Sequence, residues 1–140
     1  MSVAGRLGAL IGALLLSGGA VAQPKGFTLE CEIASQGADG GFGSVLFIAF
    51  EEGWKNPAAL NWAIEEVHKA PIPVKLISNE GKRARISWKL EGLKYESGRS
   101  IGPVTYAASI DKASLALRMT LSIQSGDGRY FAEGSCKKIS

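Results

Sequence analysis

Two cysteines, one histidine and three clusters of charge are the residues of this 140-residue chain with chemistry to offer. Cys31 and Cys136 are its only cysteines, so one intramolecular disulfide is possible. In an oxidising compartment an even pair reads as that bridge, and a thiol nucleophile is then excluded. His68 is the single histidine. A Cys/His metal site would need more ligands than the chain supplies, and nothing in the sequence calls for a cofactor. His68 is also the only base available to a Ser-His-Asp triad, and no G-x-S-x-G elbow accompanies it.

Glu51-Glu52 and Glu65-Glu66 are the carboxylate pairs. A glycosidase needs two carboxyls facing each other across a bond. Neighbouring glutamates diverge on a strand and on a helix alike, so their spacing argues for solubilising charge. Gly40-Gly41-Phe42-Gly43 lacks the Lys-Ser/Thr of a P-loop and the spacing of a dinucleotide loop. Catalysis therefore has no evident constellation, and the expectation is a non-enzymatic chain.

Binding has better candidates. Arg83, Arg85 and Lys89 fall on one face of one strand pattern, and Lys94 and Arg99 follow closely. Such a stripe suits an anionic partner: a polyanionic glycan, a lipid head group or an acidic protein. Trp54 and Trp62 flank the start of an expected helix, where two rings would stack on sugar or seat a partner protein. The overall charge is only +3, with 16 Lys and Arg against 13 Asp and Glu. That is too mild for nucleic acid.

The elements that must carry these residues begin after a leader. Residues 1–22 show one early positive charge, Arg6, an apolar run and a small-residue end, Ala20-Val21-Ala22. This is the layout of a cleaved secretory signal peptide, too short in its apolar part to span a membrane. It predicts a periplasmic or extracellular domain over residues 23–140, with no stable membrane span after cleavage. One domain of that size has a small core, which a covalent staple helps to hold.

Most of that domain alternates with period two. Phe27, Leu29, Cys31 and Ile33 share a face, and so do Ala84, Ile86, Trp88 and Leu90. Val104–Ile110, Leu115–Ile123 and Tyr130–Lys137 continue the pattern, Val45–Phe50 is a continuous β-rich run, and Ile72–Ser78 reads as one more strand. Asn79-Glu80-Gly81 predicts a hairpin connection, and the stretches from Gln36 to Gly43 and from Gly92 to Gly102 read as loops. One segment changes period. Asn56 as cap, Pro57 at the first helical position and Leu60, Ile64 and Val67 on one side predict a helix from Pro57 to Lys69.

Seven strands with short connections predict a mainly β fold, a small antiparallel barrel or barrel-like sandwich with one helix across it. A Cys31–Cys136 bridge requires the first and last strands to lie side by side or face to face.

In outline the chain resembles the small secreted lysozyme-inhibitor domains of bacterial envelopes, which share a leader, an antiparallel β-barrel and a cysteine near each end. Their inhibitory loop carries Ser-Gly followed shortly by Tyr. Here Tyr95-Glu96-Ser97-Gly98-Arg99 has these residues in another order. The resemblance implies an inhibitor of a secreted hydrolase as an alternative function and transfers no inhibitory residue. The leading expectation is an exported domain that binds an anionic envelope component or protein partner. A hydrolase using Glu51, Glu65 or Glu66 is the remote alternative.

Overall fold

The computed structural model describes residues 26–36, 42–94, 97–123 and 129–140. The leader lies outside these residues, as does most of the glycine loop. The described chain runs β1 (Phe27–Gln36), β2 (Val45–Glu51), β3 (Lys55–Leu60), α1 (Trp62–His68), β4 (Ile72–Pro73), β5 (Lys75–Ser78), β6 (Arg83–Leu90), β7 (Val104–Asp111), β8 (Ala116–Ile123) and β9 (Arg129–Lys138).

These strands form one antiparallel sheet in the order β4-β3-β2-β1-β9-β8-β7-β6-β5. Every neighbour in that order is a neighbour in sequence except β1 and β9. The sheet is therefore an up-and-down meander whose ends have joined, a nearly closed barrel. Its two edges, β4 and β5, are separated by Val74 alone. Val74 N–H donates to Pro57 O at 3.0 Å and so extends the β3–β4 pairing. Pro73 in β4 and Lys75 on β5 blunt the edges that remain against pairing with another chain.

Alternation decides what fills the barrel. Leu29, Cys31, Leu46, Ile48, Ile86, Tyr106, Ile110 and Met119 all point inward and are buried. Tyr106 stacks on Trp88 at 5.2 Å between ring centroids, and burial pushes its hydroxyl well above the usual phenol pKa range. One end of the barrel is plugged by Phe27, Phe50 and Trp54, with centroids 4.8 to 5.5 Å apart. Lys138 lies over the Phe27 ring and Lys112 beside the Trp54 ring. At the other end α1 packs against β3 and β6, and Phe42, Ile64 and Leu93 are buried.

The cysteine expectation is met directly. Cys31 and Cys136 are bonded, directly opposite each other on β1 and β9, with Cα atoms 3.9 Å apart. Cys136 N–H donates to Leu115 O, on the β8 side. Its backbone polar groups thus turn away from β1, leaving the close, non-hydrogen-bonded kind of cross-strand pair. Two residues before Cys136, Gly134 faces Ile33 beside an irregularity in the register. A Cβ at Gly134 would stand 2.1 Å from Glu32 O, so this contact admits no side chain.

Three expectations need correction. The helix does not begin at Pro57. Residues Lys55–Leu60 are β3, and α1 is capped by Asn61, whose Oδ1 accepts from Ile64 N–H at 2.9 Å. Asn56 instead donates from Nδ2 to Glu51 Oε1 at 2.8 Å across the β2–β3 turn. The strands number nine among the described residues, because β3 is added and the stretch 72–78 divides at Val74. Leu115 is outside β8, in a turn with φ 63°. His68 does occupy the last turn of α1, followed by Lys69 in the left-handed C-cap conformation.

Candidate binding surface

The outward residues of β6, β7, β8 and β9 are lined up by the register. One row runs Arg85, Ser109, Arg118, Glu133. The next runs Ser87, Ala107, Thr120, Phe131, and a third runs Lys89, Thr105, Ser122, Arg129. Small residues on β7 lie between longer ones on either side. The result is a trough of about 330 Å³ on the outside of the barrel. Ala107, Ser109 and Thr120 form its floor, with Ile77 and Arg85 on one wall and Phe131 on the other.

Both apolar walls stand in solvent. Phe131 is 63% exposed and Ile77 is 53% exposed. Single exposed apolar residues are ordinary. Two that flank the same concavity, with arginines beside them, have the composition of a protein contact site.

Three arginines lie close to Ser109 in the sheet. Arg83 Nε–H donates to Ser109 Oγ at 2.6 Å, while Arg85 and Arg118 are its direct cross-strand neighbours on either side. Arg83 is also 3.9 Å from Asp111. Asp111 Oδ1 accepts from Ala113 and Ser114 N–H at 2.9 and 2.8 Å. The Ser114 backbone bond foremost, then the Ser114 hydroxyl, with Ala113 and Arg83 adding less, hold its carboxyl below the usual range. Arg118 Nε is 3.9 Å from Glu133, and both side chains are more than 70% exposed. That separation is too long for a charged hydrogen bond, and a pair so exposed contributes little.

The predicted stripe is thus divided. Arg83, Arg85 and Lys89 do share the outer face of β6, but from Arg83 to Lys89 the strand extends about 20 Å. Arg83 is engaged by Asp111 and Ser109, Arg85 lines the trough, and Lys89 lies beyond it. Lys94 and Arg99 sit on the connection past the end of β6, where Lys94 pairs with Ser100.

No protein-family model, curated protein or solved structure matches the chain.

The two tryptophans are likewise apart. Trp54 belongs to the aromatic plug at one end. Trp62 opens α1 near the other end, with the length of β3 between them, and is 42% exposed. Its ring lies against Gly43, where a Cβ would come within 2.4 Å of it. The helix begins at Trp62 and not at Pro57, with β3 before it, so the two rings form no joint platform. Glu51 also lies at the plug end, whereas Glu65 and Glu66 lie on α1, and all three are exposed. These carboxylates do not converge.

Sequence reasoning found Arg85 but passed over Arg118, Phe131 and Ile77. The signal was present in β9. Tyr130, Ala132, Gly134 and Cys136 claim the inward positions, and Phe131 is then an apolar residue on the outward phase. Ile77, next to inward Leu76, breaks the alternation in the same way.

Proposed function

We propose that this chain is an exported, non-enzymatic binding domain that engages its partner through the outer face of β5–β9. The observation that carries this is the trough between Ile77 and Phe131, two exposed apolar residues flanking a floor of small side chains and bordered by Arg85 and Arg118. A disulfide, and the absence of any helix long and apolar enough to cross a membrane among the described residues, are compatible with export. The leader over residues 1–22 supports it from the sequence. The barrel interior is filled by buried side chains.

The protein expressed as the full chain and recovered after export provides the test. Immobilised wild type, Phe131→Asp and Trp62→Ala are compared for retention from an envelope extract. The proposal expects Phe131→Asp to lose the retained component and Trp62→Ala to keep it. Equal retention by Phe131→Asp and wild type would remove the outer face from consideration.

A further inference from the structure

Resting on that outer-face assignment, we infer that the trough takes an acidic side chain of a partner protein, its carboxylate seated at Ser109 between Arg85 and Arg118 and its apolar neighbours against Phe131 and Ile77.

Ser109 is the centre of the inference. Its oxygen already accepts from Arg83 Nε at 2.6 Å. That bond leaves the hydroxyl hydrogen unused, able to rotate and donate to an arriving oxygen. Arg85 and Arg118 start one strand away on either side, about 10 Å apart from each other. Both side chains border the trough, and either is long enough to reach over Ser109. A carboxylate there accepts from one hydroxyl and two guanidinium groups, and hydrogen bonds of this charged kind are the strong ones.

The charges already present leave room for it. Asp111 is tied to its own turn by the Ala113 and Ser114 amides, so it neutralises Arg83 and not its neighbours. Glu133 stands 3.9 Å from Arg118 with no hydrogen bond between them, and an incoming carboxylate can replace it. Lys89 and Arg129, at the two ends of the third row beyond Phe131, add positive field from farther off, without an acidic residue between them in that row.

A protein fits this geometry better than a lipid chain. The trough is short and open to solvent, so an acyl chain laid in it would keep much of its surface wet. A folded partner covers the opening with its own surface and excludes water from the arginines, where their contacts gain strength.

The probes are two capped tripeptides, acetyl-Leu-Glu-Leu-amide and acetyl-Leu-Gln-Leu-amide, titrated into the 15N-labelled protein recovered after export of the full chain. The Glu peptide is expected to shift the amides of Ala107, Ser109, Thr120 and Phe131 saturably. The Gln peptide binds about tenfold more weakly, the size of effect for a lost charged hydrogen bond. Arg85→Gln/Arg118→Gln reduces Glu-peptide affinity by about the same factor while the spectrum stays that of a folded barrel. Raised salt weakens the Glu peptide and spares the Gln peptide.

Equal affinity for the two peptides at these amides would overturn the carboxylate seat and leave the outer face as a binding surface. Shifts confined to α1 and the loops at the barrel ends would overturn both. Preference for phosphatidylglycerol vesicles over the Glu peptide would assign the arginines to a membrane and overturn the proposal. Shifts of the same amides on concentrating the protein alone would place a second copy there and do likewise.

Discussion

Cys31 and Cys136 meet across β1 and β9, the one place in the barrel where neighbouring strands are not neighbours in the chain. The bridge therefore ties the first and last described strands where the barrel closes. Every other paired strand is consecutive with its partner in the strand order, β3 with β4 by way of α1. The cysteines of the β1–β9 pair are 105 positions apart in sequence.

That position predicts the cost of losing the bridge. Loop-entropy reasoning gives about 4–5 kcal/mol for a loop of this length, and removal of native disulfides from small exported domains typically costs 2–5 kcal/mol. Cys31→Ala/Cys136→Ala is expected to fall in the upper half of that range in urea unfolding. Alanine is chosen because Cys31 is fully buried and serine would place an unpaired hydroxyl there. A change below about 1 kcal/mol would show that the strand ladder alone closes the barrel.

Gly134 is expected to be intolerant for a different reason. An alanine Cβ would meet the Glu32 carbonyl oxygen at 2.1 Å, and that oxygen belongs to the backbone. Gly134→Ala should destabilise by about 1–3 kcal/mol, the range for overpacking, with the loss concentrated at the β1–β9 pairing. Hydrogen exchange of the β1 and β9 amides checks this, with Ala132→Gly as a nearby control that adds no atoms.

Much of this barrel was legible from period two alone. Ala84, Ile86, Trp88 and Leu90 lie inside, as their alternation requires, and the Asn79-Glu80-Gly81 connection has Gly81 at φ 75°. The β3 segment was not legible. Its inward positions are Pro57 and Ala59, small residues that give no strand signal, while Asn56-Pro57 imitates a helix start. Leu60 falls four residues before Ile64 and so joins a helical stripe it does not belong to. The real signal was Asn61, an equally good cap placed one residue before the helix. The trough was hidden because it depends on which small residues of β7 fall between long ones of β6, β8 and β9. Register decides that, and one sequence does not display it.

Asn61 yields a prediction of its own. Its Oδ1 caps α1 through Ile64 N–H, while its buried Nδ2 has no hydrogen-bond partner among the described residues. Asn61→Ala should lower stability by about 0.5–2 kcal/mol through the lost cap. Asn61→Ser keeps an acceptor and removes the unpaired donor, so it should be the milder change. Thermal unfolding of the two variants side by side checks the order, and a milder alanine variant would contradict it.

Acid should weaken the β7–β8 turn through Asp111. The Ser114 and Ala113 bonds and Arg83 lower its folded-state pKa below the ordinary aspartate value near 4. A depressed carboxyl stabilises the fold fully above its unfolded-state pKa, and the contribution is lost as pH falls through the folded-state value. Asp111→Ala should therefore be less stable than wild type at neutral pH, with the gap narrowing below about pH 4. Unfolding midpoints measured from pH 7 down to pH 2 test the sign. A gap that widens with acid would contradict it.

The most direct measurement is an amide shift map of the 15N-labelled protein, expressed as the full chain, on addition of an envelope extract. Binding through the outer face predicts changes at Ala107, Ser109, Arg118, Thr120 and Phe131, with the amides of α1 and of the loop after β6 unmoved. Changes confined to Trp62, α1 and the Lys94–Arg99 connection would contradict it and put the partner at the end of the barrel instead.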